Sequence, residues 1–172
     1  MSDSRKPLAA CVSAYTRAVS GGELARAYRA ILSALSSFKA AWEKAHPEDS
    51  VGALYQGYLD MSFISFAPAL FAARRLKLSL VYLHAEGRFS LWLAAGNRAI
   101  QAEVSEQLRD RPLGKYALTE LRPGVDAIIA SEITPPYAFD EPETLAGTLL
   151  SAAEMFRNDM IALLDFLTEE KT

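Results

Sequence analysis

Asp60 stands inside an apolar, β-forming run at residues 57–66, and the side chains near it limit what chemistry the chain could perform. Tyr55 and Tyr58 precede it. Trp92, Asn97, Arg98 and Gln101 follow after a second apolar block. A carboxylate buried without a partner is costly, so an aspartate in an apolar strand asks for a cation or hydrogen-bond donors. Arg98 is the economical partner, with the tyrosine hydroxyls or Asn97 as alternatives. Three readings stay open. The group is a structural tie between strand and helix, or a pocket floored by Trp92 that binds a small molecule or a protein partner. The third reading is a hydrolytic enzyme using Asp60 with Arg98 or Tyr58.

Other chemistries find little support. There is no GxSxG elbow, no GxxxxGK[ST] loop, no GxGxxG after a strand and no HExxH. Cys11 has no cationic neighbour to activate it and reads as a small buried hydrophobe. His46 and His84 lack further ligands at metal-binding spacing, so no metal and no cofactor is expected. His46, before Pro47, reads as a solvated helix-terminal residue, and His84 as a satisfied histidine on a rim. A metal-dependent nuclease would want a lysine and a second carboxylate on a strand beside Asp60, and Glu86-Gly87-Arg88 supplies neither in place. Arg74, Arg75 and Lys77 form a short basic cluster. It reads as a solvated face, with anion binding as the alternative.

The formal charge of −3 argues against nucleic-acid binding by general electrostatics. One cysteine fits a reducing compartment. The N-terminal residues lack the apolar core of a secretion signal, and no run approaches a membrane span. A cytoplasmic protein is therefore expected, with one domain over residues 8–168 behind a flexible tail at 1–7.

The positioning elements follow from periodicity. Leu8, Cys11, Val12, Tyr15 and Val19 make one face of a helix over 8–19. Leu24, Tyr28, Ile31, Leu35, Phe38 and Trp42 make the stripe of a longer helix over 23–46. A strand over 57–66 leads through a short helix at 68–75 to a hairpin, 76–84 and 88–95, closed by Glu86-Gly87. That register pairs Val81 with Trp92. Leu76, Leu78, Leu80, Tyr82, Phe89, Leu91 and Leu93 then share a core face. Lys77, Ser79, Val81, Leu83, Arg88, Ser90, Trp92 and Ala94 share the other, which is mixed in character. A helix capped by Asn97 covers 98–109, short strands are expected over 116–121 and 125–133, and Asp140 with Glu143 caps a last helix reaching 167. The fold class is α+β: an antiparallel sheet with a central hairpin, covered by N- and C-terminal amphipathic helices. The mixed face is buried in one of two ways. Either the helix after Asn97 folds back over Trp92 in a monomer, which the short turn at Gly96 favours, or a homodimer covers it.

The pattern Tyr55-x-Gly57-Tyr58-x-Asp60-Met61, Arg75-x-Lys77, Phe89-x-x-Trp92-Leu93 and Asn97-Arg98-x-x-Gln101 resembles a family of uncharacterised bacterial proteins. The resemblance runs from the first helix to the last. It implies that these positions form a unit, and it transfers no catalytic residue. Where the family's turn is expected to carry glycine, this chain has Ala95.

Overall fold

Every strand among the described residues joins a single sheet, and the way the chain enters and leaves that sheet sets where each polar residue ends up. A computed structural model describes residues 6–121 and 126–169, with side chains as far as 165. Residues 1–5 of the expected tail, the turn at Pro123-Gly124, Val125 and the side chain of Leu167 lie outside the described residues. The elements are α1 (Leu8–Ser20), α2 (Glu23–Ala45), β1 (Ser50–Val51), β2 (Met61–Ala67), α3 (Ala69–Ala73), β3 (Leu76–Leu83), β4 (Arg88–Ala95), α4 (Arg98–Leu108), β5 (Ala127–Glu132) and α5 (Pro142–Glu169). The five strands lie in the order β1-β2-β3-β4-β5, each antiparallel to its neighbour. The protein is α+β, with the central hairpin flanked in sequence by N- and C-terminal helices.

The hairpin register differs from the expectation. Val81 pairs with Ser90 and Ser79 with Trp92, because the loop takes in His84 to Gly87 rather than two residues. The register has moved by two, and a shift by an even number leaves each side chain on its face. The core face therefore stands as read. Ile64 and Phe66 from β2, Leu76, Leu78, Leu80 and Tyr82 from β3, and Phe89, Leu91 and Leu93 from β4 are all buried. They share one continuous core with Leu35, Phe38 and Trp42 of α2, Phe71 of α3, Val104 and Leu108 of α4, and Leu149, Phe156 and Met160 of α5.

α4 thus packs on the core face, which corrects the expectation that it folds back over Trp92. Val104 and Leu108 are its apolar positions, and the turn at Gly96 sends them inward. Further corrections are local. α5 begins at Pro142, and the Glu141 carbonyl accepts its first helical bond from the Leu145 N–H (3.0 Å), since proline suits the first helical position better than a cap at Asp140 would. The segment 116–121 contributes one isolated bridge, Leu118 to Ile129, in place of a strand. β1 was too short for any periodicity to reveal.

α1 is where the pattern misleads most. Its stripe is helical as expected, yet none of its residues is buried, and Cys11 is exposed. Amphipathic spacing establishes a helix with an apolar face but does not say what that face meets.

Candidate functional site

The seven residues of the expected site fall into three places. Tyr58 and Asp60 lie just before β2, where the Asp60 carbonyl accepts the His84 N–H (3.0 Å). Arg98 opens α4, just beyond Ala95, which pairs with Leu76 at the far end of β3. The two therefore sit at opposite ends of the sheet, roughly 25 Å apart at about 3.3 Å per residue. The expected Asp60–Arg98 approach does not occur. The cause is the link between β2 and β3. Residues 68–75 are too few for a parallel crossover, which needs about a dozen, so β3 must run back beside β2. Three antiparallel passes then place the start of β2 and the end of β4 at opposite ends of the strands.

Each group has its own local chemistry. Asp60 is exposed rather than buried, and its carboxylate accepts the Tyr58 N–H (2.9 Å). The Met61 and Tyr58 amides, in that order of effect, hold its pKa below the usual carboxylate range. Gly57 makes this loop possible. Its φ is +67°, and a Cβ there would overlap the Met61 carbonyl oxygen and come within 2.7 Å of Asp60 Oδ1. Tyr58 itself is 93 % exposed. Gly57 and Asp60 of the Tyr55–Met61 motif are thus accounted for by the geometry of this loop. At the other end Asn97 Oδ1 caps α4 through the Ile100 N–H (3.0 Å). Arg98 donates to Gln101 Oε1 (3.0 Å) and lies 3.9 Å from Asp126. Buried Gln101 donates in turn to the Ala127 carbonyl (3.0 Å), tying α4 to β5.

His84 merits a separate test, because Ser62 Oγ lies 3.0 Å from its Nε2 and Asp60 is close by. A serine nucleophile would have to give its proton to that nitrogen. Ser62 instead donates to the Gln56 carbonyl (2.6 Å), so the nitrogen must be the donor, and Ser62 is fully buried. The ring stacks on Tyr28 and meets Tyr82 edge-on, which makes His84 a packed joint between α2 and the sheet. Burial lowers its pKa.

The third place is the sheet face away from the helices. Tyr55 stacks on Phe63 with centroids 4.7 Å apart, and half-buried Met61, Leu83 and Trp92 continue the apolar surface around Val81, which is itself buried. Lys77 Nζ lies 6.0 Å from the Phe63 ring centre. The Trp92 Nε1–H donates to Ser90 Oγ (3.0 Å), two residues along the same face, so the indole lies along the strand and helps to seal Val81. Arg88 joins Glu86 and Glu132 at the hairpin end. α2, α3, α4 and α5 all bury their residues in the core on the opposite side. Among the described residues, no helix lies on this face.

A family model of a domain of unknown function matches residues 8–164, which spans the sheet and everything packed on it. The chain belongs to that family, DUF7000. No curated protein and no solved structure matches it. Membership of DUF7000 assigns no role to any residue above, so chemistry must be read from the side chains themselves.

Two clusters escaped sequence reading. In the first, a cleft of about 440 Å³ lies between residues 111–116 and α5, lined by Arg111, Pro112, Leu113, Gly114, Lys115, Tyr116, Asp159, Ala162 and Leu163. Asp159 Oδ2 accepts the Tyr116 hydroxyl (2.6 Å) and lies 3.1 Å from Lys115 Nζ. The Tyr116 bond is the main reason Asp159 titrates low, burial is the main reason Tyr116 titrates high, and the bond to Asp159 raises Lys115. The second cluster joins α2 to α5. Trp42 Nε1 donates to buried Asp49 (3.1 Å), Arg157 Nε lies 3.7 Å from the same carboxylate, and His46 Nε2 meets Glu154 (3.1 Å). His46 is therefore packed and paired, not solvated, with its ring 4.4 Å from that of Trp42. Arg74 is likewise tied down, donating to the Leu164 carbonyl at 2.8 Å, where a solvated basic cluster was expected. Among the described residues, no group of three or more acidic, histidine or cysteine side chains could hold a metal ion. No described helix is long and apolar enough to cross a membrane.

Proposed function

We propose that this domain is a binding module whose open sheet face docks a protein partner. One observation carries the reading: exposed Tyr55 and half-buried Phe63, Leu83 and Trp92 make this face apolar and aromatic, yet no described helix covers it. Aromatic side chains rimmed by charge, here Lys77 and the Arg88–Glu132 pair, are what protein interfaces use as anchors. The reading keeps Trp92 and Tyr55 at the site and releases Asp60, Arg98 and Gln101 to structural duty. A hydrolytic role for Asp60 loses its motivation, since Arg98 is remote and the carboxylate is occupied by loop amides. The lone cysteine supports placing the module in a reducing cytoplasm.

Tryptophan fluorescence tests the reading directly. Trp42 is fully buried and Trp92 only half buried. In dilute protein, acrylamide should quench one component freely, and Trp92→Phe should remove that component. An unquenchable Trp92 in the monomer would mean that the chain covers its own face, and the reading would be lost.

A second reading, small-molecule binding, rests on the cleft beside Asp159. Its volume is within the range of ligand pockets, and its apolar walls converge on Lys115, Tyr116 and Asp159. A compound that raises the melting temperature of the wild type, but not of Asp159→Ala, would establish it. A cleft ligand whose effect survived that substitution would count against it.

A further inference from the structure

We infer that the partner is a second copy of this chain, with α1 of each protomer seated on the open sheet face of the other. The inference rests on the docking reading above and names its occupant.

α1 and the sheet face have complementary deficits. An isolated helix of 13 residues is marginal in water, and α1 has no buried residue to stabilise it. Leu8 is 84 % exposed and Val12 62 %, and Tyr15 and Val19 extend the same stripe. The sheet has the converse problem, an apolar surface without a helix. Their dimensions agree. At 1.5 Å per residue α1 is about 20 Å long and about 10 Å wide, while an eight-residue strand such as β3 or β4 spans roughly 26 Å. One such helix covers two to three strands at about 4.8 Å spacing, which is the width from Phe63 to Trp92.

The helix comes from the partner because its own tether is short. α2 lies on the core face, anchored by Tyr28 stacking on His84 and by the Tyr28 hydroxyl donating to the Gln56 carbonyl (3.1 Å). Only Gly21 and Gly22 join α1 to it, and both amides are used in closing α1, on the Arg17 and Val19 carbonyls. No slack is left for α1 to pass round its own sheet edge. A two-fold axis makes the contact twice. Making the contact twice doubles the area one helix-on-sheet contact buries, towards the ~1,200–2,000 Å² of a stable interface.

The test uses the full chain and its sole cysteine, Cys11, which α1 displays to solvent. Light scattering after size exclusion should give twice the chain mass at tens of micromolar. The double variant Val12→Glu/Tyr15→Glu, which touches no buried residue, should give the single mass with an unchanged far-ultraviolet spectrum. Trp92→Lys should also be monomeric, and mixing the two variants should restore a weaker dimer, because one of the two contacts survives. A photo-crosslinker on Cys11 should capture peptides from residues 76–95 in the double-mass species. A wild type that stays monomeric at every concentration overturns the inference. Cross-links confined to α1 of the second chain, with Trp92→Lys still dimeric, overturn it as well. The docking reading fails separately, if Trp92 resists quenching in the monomeric α1 variant.

Discussion

The two faces of the sheet are made from the same strands and have opposite fates. On one, Phe66 packs between Phe38 and Trp42 of α2, with ring centres 5.6 and 4.1 Å away, and is 1 % exposed. On the other, three residues earlier in β2, Phe63 is only half buried, with Tyr55 stacked on it. The composition of the strand does not separate them; the helices do. The covered face joins the core that holds the molecule together, and the open face keeps partly exposed apolar side chains.

Paired substitutions sharpen that contrast. Phe66→Ala should cost about 3–5 kcal/mol in urea unfolding, the range for a large side chain lost from a packed core. Phe63→Ala, measured on the monomeric α1 variant, should cost about 1 kcal/mol, as for a partly exposed site. Equal costs would break the comparison and show that the open face is packed.

Asp49→Ala comes next. It removes a buried carboxylate from between Trp42 and Arg157, leaving the indole N–H without its acceptor and Arg157 with Glu48, 3.8 Å away, as its remaining acidic neighbour. The expected loss is about 3 kcal/mol, read by the same unfolding curve. Replacing Asp159 on the rim of the cleft should cost less, because Lys115 there stays largely solvated. Gly57→Ala should follow at about 2 kcal/mol, since a side chain at positive φ must also displace the Met61 carbonyl. Tyr58→Ala, two atoms of backbone away but fully in solvent, should be near neutral by thermal melting.

The smallest effect is a slope with pH. Burial lowers the pKa of His84 below 6.5, so between its folded and unfolded values the unfolded chain binds more protons. That contribution to stability is complete above about pH 6.5 and is lost as the pH falls towards the folded value. Asp60 and Asp159 are shifted low and respond only in more acidic solution. Stability measured from pH 7 to 5 should therefore decline, and His84→Gln should flatten the decline.

Side-chain alternation alone decides the faces. A period of two assigns Leu78, Leu80 and Leu91 to one side and Val81, Ser90 and Trp92 to the other, and a two-residue error in the hairpin register could not change that. Helix stripes were legible for the same reason, and so was the Asn97 cap, whose acceptor needs only residues three positions away. Relations between distant segments belong to the tertiary structure. Asp60 and Arg98 flank the same apolar block in the sequence, but three antiparallel passes send them to opposite ends. Lys115, Tyr116 and Asp159 meet only because α5 returns beside the loop after α4, and no spacing encodes that return. The exposure of α1 is the plainest case. Its spacing gives it an apolar face through Val12 and Tyr15, while only the tertiary structure shows that this face is left exposed.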